Sequence, residues 1–324
     1  MTDNEAIPPI EQPVEASPPT PNAQRPTPFR SGYVTLIGKP NVGKSTLLNH
    51  IVGQKVSIVS NKPQTTRRRV IGIAHGPGYE AAFIDTPGVH EAHTQLGKQM
   101  IEQAQMSLAD INLVVYVADG AHHPGDLDKL IAKMVKASEV KVPIILCMNK
   151  MDLLKAEDVV RNVEAYTGLL GITEDDYMLT TATQGHNVDK LMDMIVSRLP
   201  VGDPIYDEDE FTDQSSRFLA AELVREKILI ATRQEVPHSV AVMIEEWEDE
   251  GDLTRIGASI LVEKVSQRGI LIGKQGQFLK KIGTEARAEI EELLGHRVHL
   301  DLHVKVSEGW RMNPRILREL EYSE

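Results

Sequence analysis

The chain predicts an open, mostly parallel α/β sheet with helices on both faces, followed by a small α+β domain. Three observations carry this prediction. Apolar runs of strand length alternate with helix-spaced segments from Tyr33 to about Pro200. The polar clusters of that half all fall at the carboxyl ends of the runs, the rim where such sheets bind ligands. Beyond Pro200 the order becomes helix, two alternating strands, a glycine loop, helix and strand.

The length of 324 residues leaves room for two separate cores. With a net charge of −12, the protein would not cling to polyanions through overall charge, so any affinity for nucleic acid needs a local basic patch. The single cysteine, Cys147, excludes an intrachain disulfide framework, suits a reducing cytoplasm, and reads as core filler within "PIILCM". The longest apolar runs, "INLVVYVA" and "VPIILCM", have strand length and are too short for a membrane span. Residues 1–30 form a proline-rich tail that is expected to be disordered. Its first 28 residues hold eight prolines and almost no large apolar side chains, and they match neither a signal nor a transit peptide.

Over residues 31–200 the expected strands are "YVTLIG", "EAAFIDTPG", "INLVVYVAD", "VPIILCMNK" and "DYMLTTA". The helical patterns are "KSTLLNHIV", "LGKQMIEQAQMSL", "DLDKLIAKMVKA", "AEDVVRNVEAYTGLL" and "NVDKLMDMIVSRL". An acidic, aperiodic linker is expected at 201–214, and the second domain at 215–324, opening with the helix "SSRFLAAELVREKILIAT".

"GKPNVGKS" follows the first strand and fits the phosphate-loop pattern: Gly38, Lys39, Pro40, Asn41, Val42, Gly43, Lys44 and Ser45, with Thr46 in the helix behind it. Its backbone N–H groups would cradle phosphates, Lys44 would neutralise the β- and γ-phosphates, and the Ser45 hydroxyl would ligate Mg²⁺. "DTPG" supplies Asp85 to hold the metal through its water shell, then Thr86, Pro87 and Gly88, whose N–H would meet the γ-phosphate.

"NKMD" (Asn149, Lys150, Met151, Asp152) selects the base. A carboxylate at Asp152 accepts both N1–H and the amino group of guanine, whereas adenine would leave it unpaired. Asn149 would bond the base edge and the loop wall, and the stem of Lys150 would cover the ring. In "TTATQG", Thr181 and Ala182 are expected to offer backbone N–H to the guanine carbonyl. Val89 follows "DTPG" and cannot polarise the attacking water, so intrinsic hydrolysis should be slow. "HEAH", His90 to His93, is one residue short of a zinc motif, and no zinc is expected.

In the second half, "GKQG" (Gly273, Lys274, Gln275, Gly276) fits the GXXG loop of a KH domain, which clamps the backbone of about four nucleotides. Ile270 and Ile272 would form a wall for bases. Lys264, Arg268, Lys274, Lys280 and Lys281, with no acid among them, make a local electrostatic footprint within an acidic chain. The loop lacks the Lys-Ser/Thr pair and partner motifs of a second nucleotide site.

Together these motifs resemble the Era family of GTPases, a P-loop GTPase domain followed by a KH domain. "KPQTTRRRVIG" looks like its first switch segment, and "VKVSEGWRMNPRILREL" like its C-terminal stretch. The resemblance runs from about Ser31 to Tyr322. It implies GTP hydrolysis, with Thr66, or else Thr65, ligating Mg²⁺ only in the GTP state, and binding of the 3′ end of 16S ribosomal RNA in small-subunit assembly. It also implies that Asn41 helps bind K⁺ beside the phosphates, although Asn41 would equally serve as a loop brace. A cytoplasmic monomer, with peripheral contact to the inner membrane, is the accompanying expectation. "QTTRRR" on its own reads as a solvated basic loop. Thr181 stands where the family usually has serine. The rival readings are a signalling GTPase whose second domain binds protein, and a metabolic P-loop enzyme, which "NKMD" disfavours.

Overall fold

Alternation along the central strands assigns each side chain to one of two cores. The computed structural model describes residues 28–89, 94–138, 141–233 and 236–322. The proline-rich segment up to residue 27 and the "HEAH" stretch lie outside the described residues. Strands β1 (Arg30–Ile37), β2 (Val70–Gly76), β3 (Tyr79–Asp85), β4 (Leu113–Asp119), β5 (Ile144–Asn149) and β6 (Tyr177–Leu179) form one sheet in the order β2-β3-β1-β4-β5-β6. All neighbours are parallel except β2, which returns antiparallel to β3. On β4, Leu113, Val115 and Val117 face one layer, while Val114, Tyr116 and Ala118 face the other. Helices α1 (Lys44–Val52) and α5 (Val188–Arg198) cover the first face. Helices α2 (Gln95–Met106), α3 (Asp126–Ala137) and α4 (Val159–Leu170) cover the second. Burial on both faces explains why the strands read as continuous apolar runs.

Helix α6 (Ser216–Ala231) opens the second unit and is capped by the Ser215 hydroxyl, which accepts from Phe218 N–H at 3.2 Å. After the single turn α7 (Val236–Ser239) come β7 (Ala241–Asp249), β8 (Leu253–Val262), α8 (Val265–Ile272), α9 (Gln277–Leu294) and β9 (Arg297–Val306). The sheet order is β7-β8-β9, antiparallel then parallel. Its core is built from α6, α9 and the inward residues of the strands, among them Val224, Ile228, Ile260, Ile282 and Ile290. Helix α10 (Pro314–Glu319), with Asn313 as N-cap and Pro314 at its first position, closes the described chain.

Two elements go beyond the sequence expectation. Strand β2 is hidden behind the basic segment that precedes it, and α8 reads in the sequence only as a loop wall. The acidic connection after Pro200 is also not free: it is laid along the outer edge of the first sheet. Ile73 N–H donates to Phe211 O at 2.9 Å, and the Thr212 hydroxyl to Ile71 O at 2.6 Å. The buried carboxylate of Glu80 accepts from Ile205 N–H at 2.8 Å and Tyr206 N–H at 3.2 Å. Glu80→Ala should leave those two donors unpaired and cost about 1–3 kcal/mol. Denaturant unfolding and protease cutting within 203–214 check this, and unchanged stability with no new cut would refute it.

Candidate nucleotide site and RNA-facing loop

Backbone shape sets the phosphate loop before any side chain acts. Gly38 packs so closely on β4 that a Cβ would lie 2.2 Å from Val117 O. Asn41 and Gly43 both take positive φ, at 63° and 100°, so the chain curls around a concavity and enters α1 directly. Lys39 is anchored outside the curl by Asp128 at 2.8 Å. Lys44 is buried and spans the loop, its Nζ donating to Gly38 O at 3.1 Å and Lys39 O at 3.0 Å. Burial pulls its pKa down to about 8, partly offset by the charge of Asp85.

Three hydroxyls converge on one oxygen of Asp85. Ser45 Oγ donates to Oδ2 at 2.6 Å, Ser57 Oγ at 2.9 Å and Thr66 Oγ1 at 3.3 Å, and the Ser45 and Thr66 oxygens are 3.0 Å apart. Asp85 is fully buried, and its Oδ1 has no hydrogen-bond partner. Burial raises its pKa, opposed by Lys44 and the hydroxyls. A buried carboxylate with one orphaned oxygen, beside the Ser45 and Thr66 hydroxyls, fits a hard divalent cation such as Mg²⁺. Thr65 is instead tied within its own turn, bonding Ser60 Oγ at 2.8 Å and Lys62 O at 2.7 Å. The geometry therefore favours Thr66 over Thr65. Ser57 is not legible in the sequence, because nothing in "VSIVS" marks a serine that points back to the strand end.

Thr86, Pro87 and Val89 are buried, Thr86 Oγ1 donating to Leu36 O at 2.8 Å. Gly88 abuts Pro40, where a Cβ would come within 2.7 Å of Cα. At the end of β5, Asn149 ties the phosphate loop to the loop after β6. Its Nδ2 donates to Val42 O at 2.9 Å, and its Oδ1 accepts from Ala182 N–H at 2.9 Å and Thr180 Oγ1 at 3.3 Å. Thr181 N–H donates to His186 O at 3.2 Å. The Thr181 and Ala182 N–H groups, expected to meet the guanine carbonyl, are turned to His186 O and Asn149 Oδ1 where the loop closes on itself. Lys150, at φ 61°, is paired with Asp119 at 2.9 Å. Met151 and Asp152 follow in a single 3₁₀ turn with Asp152 exposed. Asn41 Nδ2 donates to Asn61 O at 3.1 Å, joining the phosphate loop to the switch segment.

The second loop is built differently. Helix α8 stops at Ile272, Gly273 turns with φ 68° where a Cβ would meet that of Phe278 at 2.6 Å, and Gln275 and Gly276 take φ 52° and 76°. Lys274, Gln275 and Lys280 are exposed, Ile270 is exposed beside half-buried Ile272, and Lys281 lies 3.8 Å from Glu285. The result is a narrow, cationic ridge of backbone where a sugar-phosphate chain can lie close.

The segment joining the two units is not a solvated loop, which corrects the reading of "QTTRRR". Arg67 is 1% exposed, its Nη1 donating to Val240 O at 2.7 Å. Arg68 stacks on Phe218 at 4.4 Å and pairs with Glu321. Lys55 binds Glu289 at 2.6 Å, and Val59 N–H donates to Glu226 at 2.8 Å.

Fold and site together define a P-loop guanine-nucleotide hydrolase carrying a KH domain. Residues 33–150 match the family model described as "50S ribosome-binding GTPase", and residues 235–311 match the KH domain model. The chain is 43% identical over 298 residues to the GTPase Era of Heliobacterium modesticaldum, covering 91% of this chain and 98% of that protein. It is 42% identical over 295 residues to the GTPase Era of Geotalea uraniireducens, with coverage of 91% and 98%. A solved Era, crystallised with MgGDPNP and nucleotides 1506–1542 of 16S ribosomal RNA, is 38% identical with a TM-score of 0.87, over 91% of this chain and 100% of that one. A solved point variant of Aquifex aeolicus Era bound to GDP·AlF₄⁻ matches with the same identity, TM-score and coverage. The chain belongs to the Era family of GTPases, and hydrolyses GTP.

The lowered pKa of Lys44 has a testable sign. Without nucleotide, Lys44 loses its proton from about pH 8 upward, whereas phosphates would hold it charged. Nucleotide binding should therefore take up a proton, and GDP affinity should fall between about pH 8 and about pH 9, by at most about tenfold per unit. Calorimetry in buffers of different ionisation enthalpy measures the uptake. Lys44→Met should bind weakly with no uptake, and a parent showing none would contradict the argument.

Proposed function

We propose that this protein is an RNA-binding molecular switch: it binds the 3′ end of 16S ribosomal RNA through Gly273–Gly276 and acts in assembly of the small ribosomal subunit, as a cytoplasmic monomer. The observation that carries the reading is the GXXG ridge, presented on a chain similar over nine-tenths of its length to an Era solved with that RNA. Lys274 and Lys280 would neutralise phosphates, while Ile270 and Ile272 would back the bases. The large-subunit wording of the first family model attaches to residues 33–150, which hold the nucleotide loops and not the clamp. No helix among the described residues is long and apolar enough to cross a membrane. Peripheral membrane contact rests on the resemblance alone.

In the nucleotide site, Ser45, Thr66 and Asp85 would hold Mg²⁺, which would supply positive charge against the phosphates. Lys44 and the N–H groups of the loop would bind the phosphates, with Gly88 facing the γ-phosphate. Asp152 would read guanine between Lys150 and the Thr181–Ala182 turn. GTP would hold Thr66 at Asp85, hydrolysis would release it, and the contacts between domains would change with it. Val89 is packed into the core and offers nothing to the attacking water, so charge compensation must come from elsewhere. Asn41, at the crown of the loop beside the switch segment, would help bind K⁺ there.

Crosslinking in the presence of GTP, GDP and GDPNP, followed by sequencing of the bound RNA, should enrich the 16S 3′ end for the parent, with Gly276→Asp losing at least about tenfold in affinity. No enrichment in any state would reject the RNA assignment and favour a protein partner. Hydrolysis should be faster in K⁺ than in Na⁺ for the parent, with the difference abolished in Asn41→Ala; equal rates throughout would reject the ion role.

A further inference from the structure

Thr66 and Arg67 are adjacent but serve opposite sides of the molecule. Thr66 Oγ1 lies 3.0 Å from Ser45 Oγ in the nucleotide site. Arg67 is buried in the second domain, in a cage with two kinds of wall. Backbone carbonyls form one: Val240 O accepts from Nη1 at 2.7 Å and Pro237 O from Nη2 at 3.4 Å. Aromatic faces form the other, with Trp310 and Tyr322 centred 5.5 and 5.7 Å from the guanidinium carbon. On the near side, Arg225 donates to Thr65 O, so the residues on both flanks of Thr66 are held by the second domain.

The cage is connected onward. Trp310 Nε1 donates to Ser239 O at 2.9 Å, and the next residue, Arg311, pairs with Glu263. Glu263 N–H and Lys264 N–H both donate to Gln267 Oε1 at 3.0 Å, which sets the start of α8, the helix that leads into Gly273. Helix α2, which follows the "DTPG" segment, reaches the same place: Gln103 Nε2 donates to Tyr322 O at 3.0 Å, and Leu96 and Met100 pack with Trp310 and Tyr322.

We propose that Arg67 is the positioning residue through which the nucleotide state reaches the RNA loop, its caged guanidinium tying the place of Thr66 to the Trp310–Tyr322 segment and, through Arg311 and Glu263, to α8. This rests on the RNA-switch reading above. The physical reason is that residues joined by a single peptide bond cannot move independently by more than a fraction of a residue's length. If Thr66 leaves Asp85, Arg67 either pulls the Trp310–Tyr322 segment with it or leaves its carbonyls. A buried guanidinium stripped of partners is costly, so Arg67 keeps its cage and the Trp310–Tyr322 segment shifts with Thr66. That makes the segment a two-state element which both sites bias, as a physical coupling requires.

The test measures binding of a synthetic RNA, nucleotides 1506–1542 of 16S ribosomal RNA, to the full chain in GDPNP and in GDP. The parent should bind at least about fivefold more tightly with GDPNP, the lower end of usual coupling. Arg67→Met fills similar space without the charged fork; it should bring that ratio to within about twofold of one, with GDP affinity near the parent's. Arg67→Lys, which keeps the charge and loses the fork, should restore only part of the ratio. If Arg67→Met retains the full ratio, or weakens RNA equally in both states while leaving the ratio intact, the proposal is overturned and the switch reading survives. A parent with no nucleotide dependence overturns both. Should Arg67→Met melt well below the parent, Tyr322→Leu opens the cage from the other side and carries the same expectation and the same contradiction.

Discussion

The structure turns on the carboxylate of Asp85. It sits at the end of a central strand, fully buried, with Lys44 nearby and the hydroxyls of Ser45, Ser57 and Thr66 on a single oxygen. A buried charge is tolerated only with partners, so this one residue draws the phosphate loop, the segment after α1 and the switch segment to one point. The sheet order makes this feasible: β1 lies between β3 and β4, so the loop after β1 and the end of β3 are neighbours on the same rim. The Ser45 and Thr66 hydroxyls and the carboxylate form a cluster of oxygen donors of the kind a hard cation takes, so the same carboxylate both organises the fold locally and suits the chemistry of phosphoryl transfer.

From that point the switch segment runs outward into the second domain without a break. Ile58 packs into the core of the second domain, Val70 against Phe218 and Leu219, and Lys55 into the Glu226–Lys227–Glu289 cluster. An exposed switch loop would be free to order on nucleotide binding with no consequence elsewhere. Here its two ends and its middle are shared with another core, so a change at Thr66 has somewhere to go. The RNA-facing loop is at the far end of that path and owes its shape to glycines, so it can be approached closely by a backbone without steric penalty.

Much of this was legible in the sequence, for identifiable reasons. Both-face burial made β1, β3, β4 and β5 readable as apolar runs, and phosphate chemistry imposes residue types at fixed spacing in "GKPNVGKS", "DTPG" and "NKMD". What escaped detection was set by distant contacts. Three consecutive arginines look solvated, and Arg67 is buried only because Trp310, Tyr322 and Val240 close around it from far along the chain. Ser57 needs the curl of the segment after α1 to face Asp85. The "RGILI" run carries a glycine and is too short to show helical periodicity, so α8 reads as a wall. The acidic stretch after Pro200 lacks any pattern because its order comes from Glu80 and the edge of β2, not from its own side chains.

The central claim is that the nucleotide site and the RNA loop are linked, and linkage is reciprocal: if nucleotide changes RNA affinity, RNA must change nucleotide preference by the same factor. The most direct measurement is therefore the ratio of GDPNP to GDP affinity, with and without a saturating 16S 3′-end oligonucleotide, under conditions where hydrolysis does not intervene. The account predicts that RNA shifts this ratio toward GDPNP by about fivefold or more. A ratio that RNA leaves unchanged, while RNA remains bound, would contradict it.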